Sequence, residues 1–140
     1  MAVLNRMTGT IFSDLGQASA FMELDWVQDC LKQSLGYNPF PATLNVRPKG
    51  AVDAATWQRA QTELAGVPLA PTDGGYCSAR LFRIEIRRGE NAGGEPVAGA
   101  ILLPEVKDYP KDKIEIVAAM RLKYHLGVND GDALTLEFLN

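Results

Sequence analysis

Alternating apolar and polar residues predict several short β-strands. The clearest case is the segment 80–88, where Phe82, Ile84 and Ile86 alternate with charged residues. Similar patterns predict further strands over 7–12, 43–47, 97–103, 114–117 and 134–138. Because only a Gly-rich connection separates 80–88 from 97–103, we expect these two strands to form a hairpin.

Two or three helices are predicted between the strands. From about Ala18 to Leu35, apolar residues recur every three or four positions, as on one face of a helix that ends at Gly36. This stripe comprises Phe21, Leu24, Val27, Leu31 and Leu35, and is widened by Trp26 and Cys30. A second helix is expected to begin with Asp53 as its N-cap and to carry Trp57. We expect Trp26 of the first helix and Trp57 of the second both to be substantially buried. Residues 120–126 suit a short third helix, closed by Gly127.

The order of these elements favours a mainly β fold with some α. The strands do not come as repeated strand-helix-strand units, which argues against a doubly wound parallel sheet and for a compact β-barrel carrying two or three helices. With 140 residues, no internal repeat and no linker composition, we expect one domain over 1–140.

Composition narrows the possible partners. Hydrophobic residues at 46% and charged residues at 22% are typical of a soluble globular protein. The net charge of −3 gives no electrostatic signature of nucleic-acid or anionic-membrane binding, and no apolar run is long enough to span a bilayer. Cys30 and Cys77 are too few for a disulfide framework, so we expect reduced cysteines in a cytoplasmic protein.

A candidate metal site lies in the predicted strand that follows the Pro-rich loop at 36–42. Thr43 and Asn45 are two positions apart, so their side chains share one face of a strand, while Leu44 and Val46 point to the other. A hydroxyl and an amide oxygen side by side suit a Mg²⁺ ion that retains water and takes further ligands from phosphates. The same two residue types also occur on many solvated strand faces.

Three segments resemble the archaeal-type, CTP-dependent riboflavin kinases. The sequence GYNPFPATLNV at 36–46 is similar to that family's G-[FY]-x-P-[FY]-x-G-T-L-N-V signature. IEIVAAMRLK at 114–123 resembles I-E-I-[IV]-A-P-x-[KR]-L-[RK], and LGVNDGD at 126–132 resembles L-x-[LV]-x-D-G-D. Ala42 and Ala119 replace a Gly and a Pro of these patterns. The segments occur in the family's order, and the similarity covers essentially the whole chain.

The resemblance implies a fold and a reaction. It implies a six-stranded barrel of the cradle-loop type that transfers a phosphoryl group from CTP to riboflavin and gives FMN. It further implies that Thr43 and Asn45 hold Mg²⁺ and that Glu115 contacts the flavin. The nucleotide would be bound by Leu15, Gly16, Met120, Arg121, Leu122 and Lys123. The catalytic base is unassigned, and the lone histidine, His125, has no role in the family pattern. The oligomeric state is left open.

One segment departs from the family pattern. Active members carry S-G-x-G-E-G-[KR]-[YF]-[YF], a Gly-rich loop whose backbone approaches the nucleotide phosphates. Here residues 13–21 read SDLGQASAF, with Asp14 and Ala18 at two of the glycines, Gln17 at the acid and Ser19 at the basic residue. A carboxylate gained and a cation lost are both unfavourable for binding a triphosphate.

Two alternatives follow from the residues. The altered loop favours a non-catalytic descendant that binds a flavin, a related heterocycle or a different phosphate donor. The 126–132 turn also resembles a turn in barrel-type transcription regulators, which would make the protein a DNA-binding barrel. The acidic charge balance counts against this second alternative.

Overall fold

Six antiparallel strands close into a barrel in the computed structural model, which describes residues 6–13, 22–69, 78–90 and 94–139. In chain order the strands are β1 (Arg6–Phe12), β2 (Leu44–Pro48), β3 (Val67–Leu69), β4 (Ala79–Arg88), β5 (Val97–Pro104), β6 (Ile114–Ala118) and β7 (Ala133–Phe138). The order around the barrel is β4-β5-β6-β2-β1-β7, and the pairing of β7 with β4 closes it. Strand β3 pairs with β4 beside this closed ring. The expected mainly β, six-stranded barrel is confirmed, as is the hairpin of β4 and β5.

Three helices accompany the barrel in the part of the chain that is described. They are α1 (Asp25–Leu35), α2 (Ala51–Glu63) and α3 (Leu122–Leu126). None of these helices has the length and apolar character that crossing a membrane requires.

The strands bury side chains on both faces, and two apolar clusters result. Inward-facing residues of all six barrel strands fill the interior, including Ile84, Ile101 and Ile116. On the outside, helix α1 packs Val27 and Leu31 against the outer faces of β4, β5 and β6. Burial of both sheet faces explains why β5 and β6 read as nearly continuous apolar runs rather than as alternating patterns.

A glycine permits close packing of the middle strands. A Cβ atom at Gly99 would lie 2.7 Å from Ile86 Cδ1 and 2.8 Å from the carbonyl oxygen of Val117. Any larger residue there would require the backbone of β6 to move.

Helix α2 packs against the barrel through Trp57. The indole is 1% exposed, lies edge-on to Phe82 at 5.6 Å and stacks parallel to Phe138 at 6.1 Å between ring centroids. The predicted burial of Trp57 is therefore confirmed. Trp26 on α1 is only half-buried, although it packs against the outer cluster.

The structure differs from the predicted helices at three points. Leu24 is extended, so helix α1 begins at Asp25 and the expected helix is not continuous there, while its predicted start near Ala18 lies outside the described residues. Asp53 is not the N-cap of α2: the helix begins one turn earlier after Gly50, and the Asp53 carboxylate accepts the N–H of Thr8 in β1 at 2.8 Å. Helix α3 begins at Leu122 rather than at residue 120.

Candidate functional site

Thr43 and Asn45 lie together on the outer face of the barrel, as their spacing predicted. Leu44 and Val46 are buried in the interior, so the alternate positions on β2 point outward. The preceding loop is fastened to the neighbouring strand by a hydrogen bond from the N–H of Phe40 to the carbonyl of Ala118 at 2.7 Å.

Glu115 joins this pair from the adjacent strand. Asn45 and Glu115 are directly opposite in the β2–β6 register, and their side chains therefore share the outer face. The Thr43 Oγ1 lies 3.4 Å from Asn45 Oδ1 and 3.3 Å from Glu115 Oε1. We call Thr43, Asn45 and Glu115 the oxygen cluster.

The hydroxyl of Thr43 lies near two acceptor oxygens of the oxygen cluster and cannot donate to both. Thr43 has one hydroxyl hydrogen, which points to Asn45 Oδ1 or to Glu115 Oε1 but not to both. Both contacts are longer than the usual 2.7–2.8 Å of O–H···O hydrogen bonds. The cluster therefore presents available lone pairs, an arrangement that suits a cation.

Glu115 is buried, whereas an isolated strand carboxylate would be expected to be exposed. It is 7% exposed, and its second oxygen, Oε2, accepts a hydrogen bond from the hydroxyl of Tyr109. Sequence reasoning missed Tyr109, because it lies in the polar segment 105–113 that connects β5 to β6. The available signal was that Tyr109 is the one aromatic residue in that segment.

The donor set of the oxygen cluster fits a hard cation. It offers a hydroxyl, an amide oxygen and a carboxylate, all of them oxygen ligands of the kind that Mg²⁺ prefers. Among the described residues there is no group of three histidine, cysteine, aspartate or glutamate side chains that could hold a metal ion. A metal at the oxygen cluster would thus need further ligands from water or a substrate.

Arg47 extends the outer face of β2. It is two residues beyond Asn45 and therefore on the same side of the strand. Its guanidinium carbon lies 4.1 Å from the ring centroid of Phe12, which is the β1 neighbour of Asn45. This contact holds a positive charge on the face that carries the oxygen cluster.

The predicted nucleotide segment at 120–123 divides into buried and accessible side chains. Leu122 is buried in the barrel cluster, so its side chain is unavailable to a ligand. Met120 is half-buried against the same cluster, and Arg121 is exposed at the start of α3. The predicted contacts at Leu15 and Gly16 lie outside the described residues.

Lys123 takes part in a three-residue polar contact that we call the Lys123 cluster. Its ammonium donates to Asp130 Oδ1 at 2.7 Å and to Ser13 Oγ at 3.3 Å, and the Ser13 hydroxyl donates to Asp130 Oδ2 at 2.5 Å. The hydrogen bond from Lys123 is the main cause that lowers the pKa of Asp130 below its usual value, and the hydrogen bond from Ser13 lowers it further. Ser13 is the last described residue before 14–21, so Lys123 lies where the altered loop begins.

A groove elsewhere in the molecule contains none of the predicted site residues. Its volume is about 450 Å³, and it is lined by residues 63–67 between α2 and β3, by 81–83 of β4 and by Leu139. The predicted site residues that are described do not line this groove. They lie on the outer face of β2 and β6 and along α3.

Comparison with known proteins identifies relatives over almost the whole chain. A family model named CTP-dep_RFKase, described as "Domain of unknown function DUF120", matches residues 11–138. The chain is 34% identical over 134 residues to a "Riboflavin kinase" of Aeropyrum pernix, covering 94% of both proteins. It is 31% identical over 135 residues to a "Riboflavin kinase" of Pyrobaculum islandicum, covering 94% of this chain and 59% of that protein. The chain thus spans about three fifths of the length of the Pyrobaculum relative.

Proposed function

This chain belongs to the CTP-dependent riboflavin kinase family, and we propose that it transfers a phosphoryl group from CTP to the ribityl 5′-hydroxyl of riboflavin, giving FMN. The observation that carries this proposal is the oxygen cluster. The hydroxyl of Thr43 lies 3.4 Å from Oδ1 of Asn45, the other predicted metal ligand. The same hydroxyl lies 3.3 Å from Oε1 of Glu115, the predicted flavin contact.

This adjacency is what phosphoryl transfer requires. The reaction depends mainly on positioning and on neutralising the charge of the transferred group. Thr43 and Asn45 would hold Mg²⁺ through their side-chain oxygens. Bound there, the ion would neutralise phosphate oxygens of the nucleotide. Arg47 would add a fixed positive charge on the same face.

Glu115 would orient the acceptor. A carboxylate accepts hydrogen bonds and donates none, so it would bind an N–H or O–H group of riboflavin. Its burial strengthens such a bond, because the surroundings have a lower effective dielectric constant than water. The flavin would then lie beside the metal ligands, with its hydroxyl directed at the nucleotide.

The nucleotide would lie along residues 120–123. Backbone groups there would form hydrogen bonds with the edge of the cytosine base. The exposed Arg121 and the ammonium of Lys123 would approach the phosphates. Lys123 is already paired with Asp130, so its charge is partly neutralised in the absence of a ligand. Leu15 and Gly16 would complete this side of the site.

The test is direct product formation. The protein is incubated with riboflavin, Mg²⁺ and each nucleoside triphosphate separately, and FMN is measured by chromatography. We expect FMN with CTP and little or none with the other nucleotides. No FMN with any nucleotide would rule out the kinase function.

A variant tests the metal assignment. Asn45→Ala should leave the fold intact and weaken Mg²⁺-dependent nucleotide binding by about tenfold or more, since loss of even an outer-shell partner has such an effect. Asn129→Ala is the matched control, because Asn129 is exposed on the turn before β7. If calorimetry gives Asn45→Ala the same Mg-nucleotide affinity as Asn129→Ala, the metal is not held by Asn45.

A second function is favoured by the altered segment at 14–19. The protein would then bind a flavin without phosphorylating it, for storage or regulation. Riboflavin binding without FMN formation would identify this case. A mobility-shift titration with a salt series separates both functions from the DNA-binding alternative.

A further inference from the structure

Tyr109 contacts the predicted flavin anchor from a segment outside the barrel. Its hydroxyl donates to Glu115 Oε2, while Thr43 Oγ1 lies against Oε1. The two oxygens of the carboxylate are therefore held from two sides, by groups on different parts of the chain. A carboxylate held in this way has a fixed orientation about its last side-chain bond.

The segment that carries Tyr109 has its own local structure. The N–H of Tyr109 donates to the carbonyl of Val106 at 3.2 Å, and that of Lys113 donates to the carbonyl of Pro110 at 3.3 Å. Asp108 has a positive φ of 65°, which turns the chain just before the tyrosine. The ammonium of Lys113 lies 5.9 Å from the centre of the phenol ring. These turns place the phenol against β6, although most of the neighbouring residues are exposed.

We propose that Tyr109 is a positioning residue for riboflavin: it orients the Glu115 carboxylate so that the remaining lone pairs face the ligand. Each carboxylate oxygen has two lone-pair sites, so one hydrogen bond to Oε2 leaves a further acceptor site on that atom. Without the phenol, Glu115 would sample other orientations, and riboflavin binding would have to restrict them. This inference rests on the proposed function, because riboflavin is the ligand that Glu115 orients.

The test uses Tyr109→Phe, which retains the ring and removes the hydroxyl. Riboflavin affinity is measured in the full chain by quenching of flavin fluorescence, and the steady-state constants by FMN formation. We expect the Kd and KM for riboflavin to rise about tenfold, as for loss of one hydrogen bond to a charged acceptor, with kcat changed little. Tyr124→Phe is the matched control, because Tyr124 is 88% exposed on α3.

A double-mutant cycle shows whether Tyr109 acts through Glu115. In a Glu115→Ala background, which removes the acceptor, adding Tyr109→Phe should change the riboflavin Kd by less than about twofold. Should Glu115→Ala bind riboflavin too weakly to measure, the same cycle is read from the unfolding equilibrium of the ligand-free proteins. In that cycle, the effects of the two substitutions on the unfolding equilibrium constant should depart from additivity by about tenfold, since both break the same hydrogen bond.

Distinct outcomes would overturn the two proposals. If the wild type binds riboflavin and Tyr109→Phe binds it as tightly as Tyr124→Phe, the positioning role is wrong and the proposed function stands. An equal loss of affinity in both backgrounds, or absence of coupling in the unfolding cycle, also excludes action through Glu115. A wild type that neither binds riboflavin nor forms FMN would overturn both.

Discussion

Trp57 connects helix α2 to the barrel through two aromatic contacts, with Phe82 of β4 and Phe138 of β7. These two strands form the closing pair of the barrel, so the indole packs across the closure. We predict that Trp57→Ala lowers the free energy of unfolding by about 3–5 kcal/mol, the usual cost of removing a large buried aromatic side chain.

Urea denaturation measures this loss, with Tyr124→Ala as the comparison. Because Tyr124 is 88% exposed, its removal should change stability by no more than about 0.5 kcal/mol. A Trp57→Ala variant as stable as Tyr124→Ala would show that α2 does not pack on the barrel as described.

At the level of single residues, strand parity predicted the shared face of two of the three residues of the oxygen cluster. The shared face of Thr43 and Asn45 follows from a period of two, which is a local property of the chain. The contacts of Glu115 do not follow from any local pattern. Its approach to Thr43 joins positions 72 apart, and its second oxygen accepts a hydrogen bond from a tyrosine in an irregular segment. Such contacts require the register of β2 on β6, which the sequence pattern does not specify.

The Lys123 cluster joins three elements: the end of β1, helix α3 and the turn before β7. Its central carboxylate, Asp130, has a pKa lowered by hydrogen bonds from Lys123 and Ser13. A lowered folded-state pKa means that the ionised group stabilises the fold above its unfolded pKa of 3.8. That contribution is lost as the pH falls through the lower, folded-state value.

We therefore predict that Asp130→Asn is less stable than the wild type at pH 7, that the difference shrinks as the pH falls below 3.8, and that it disappears below the lowered pKa of the folded state. High salt should also reduce it, because the cluster is exposed. Thermal unfolding of both proteins across this pH range measures the effect. Asp112→Asn, at an exposed aspartate in the 105–113 segment, is the control. A difference that persists unchanged into acid would mean that the carboxylate's charge is not what stabilises the contact.

At the level of elements, hydrophobic periodicity predicted which segments are helical more accurately than it predicted where each helix begins. Gly36 and Gly127 were correctly predicted to end their helices, because a left-handed cap strongly favours glycine whatever the tertiary structure. Asp53 was misassigned because an aspartate near a helix start suits a cap, yet here it satisfies a backbone N–H of β1. Strand β3 was missed, since three residues containing Pro68 give no pattern.

Closure of the barrel is a property of the whole molecule. The hairpin of β4 and β5 is local, whereas the pairing of β4 with β7 joins residues about 50 positions apart, such as Ile84 and Phe138. Short alternating segments are equally compatible with an open sheet, so closure was expected from the family resemblance rather than from periodicity. The pairing of β1 with β7, in turn, brings Ser13, at the start of the altered loop, beside α3.

Whether the assembled molecule is a working kinase depends on the loop at 14–19. Relative to the family pattern, Asp14 adds a carboxylate and Ser19 removes a cation. An added charge about 4–6 Å from a phosphate costs on the order of 1 kcal/mol, and a lost charge-assisted contact costs about 1.5–3 kcal/mol. We predict that these terms together weaken CTP binding by roughly a hundredfold. Riboflavin affinity should be little affected, because its predicted anchor, Glu115, is on β6.

Calorimetry with CTP and fluorescence titration with riboflavin, each in the presence of Mg²⁺, measure the two affinities separately. The combined variant Asp14→Gly, Gln17→Glu, Ala18→Gly and Ser19→Lys should bind CTP more tightly than the wild type, because it restores the cation at 19, the glycines at 14 and 18 and the family's acid at 17, and removes the carboxylate at 14. Its riboflavin affinity should equal that of the wild type, which serves as the internal control. Tight CTP binding by the unmodified chain would show that the present loop already accommodates the triphosphate, and Lys123 would then be the first cation to examine by substitution.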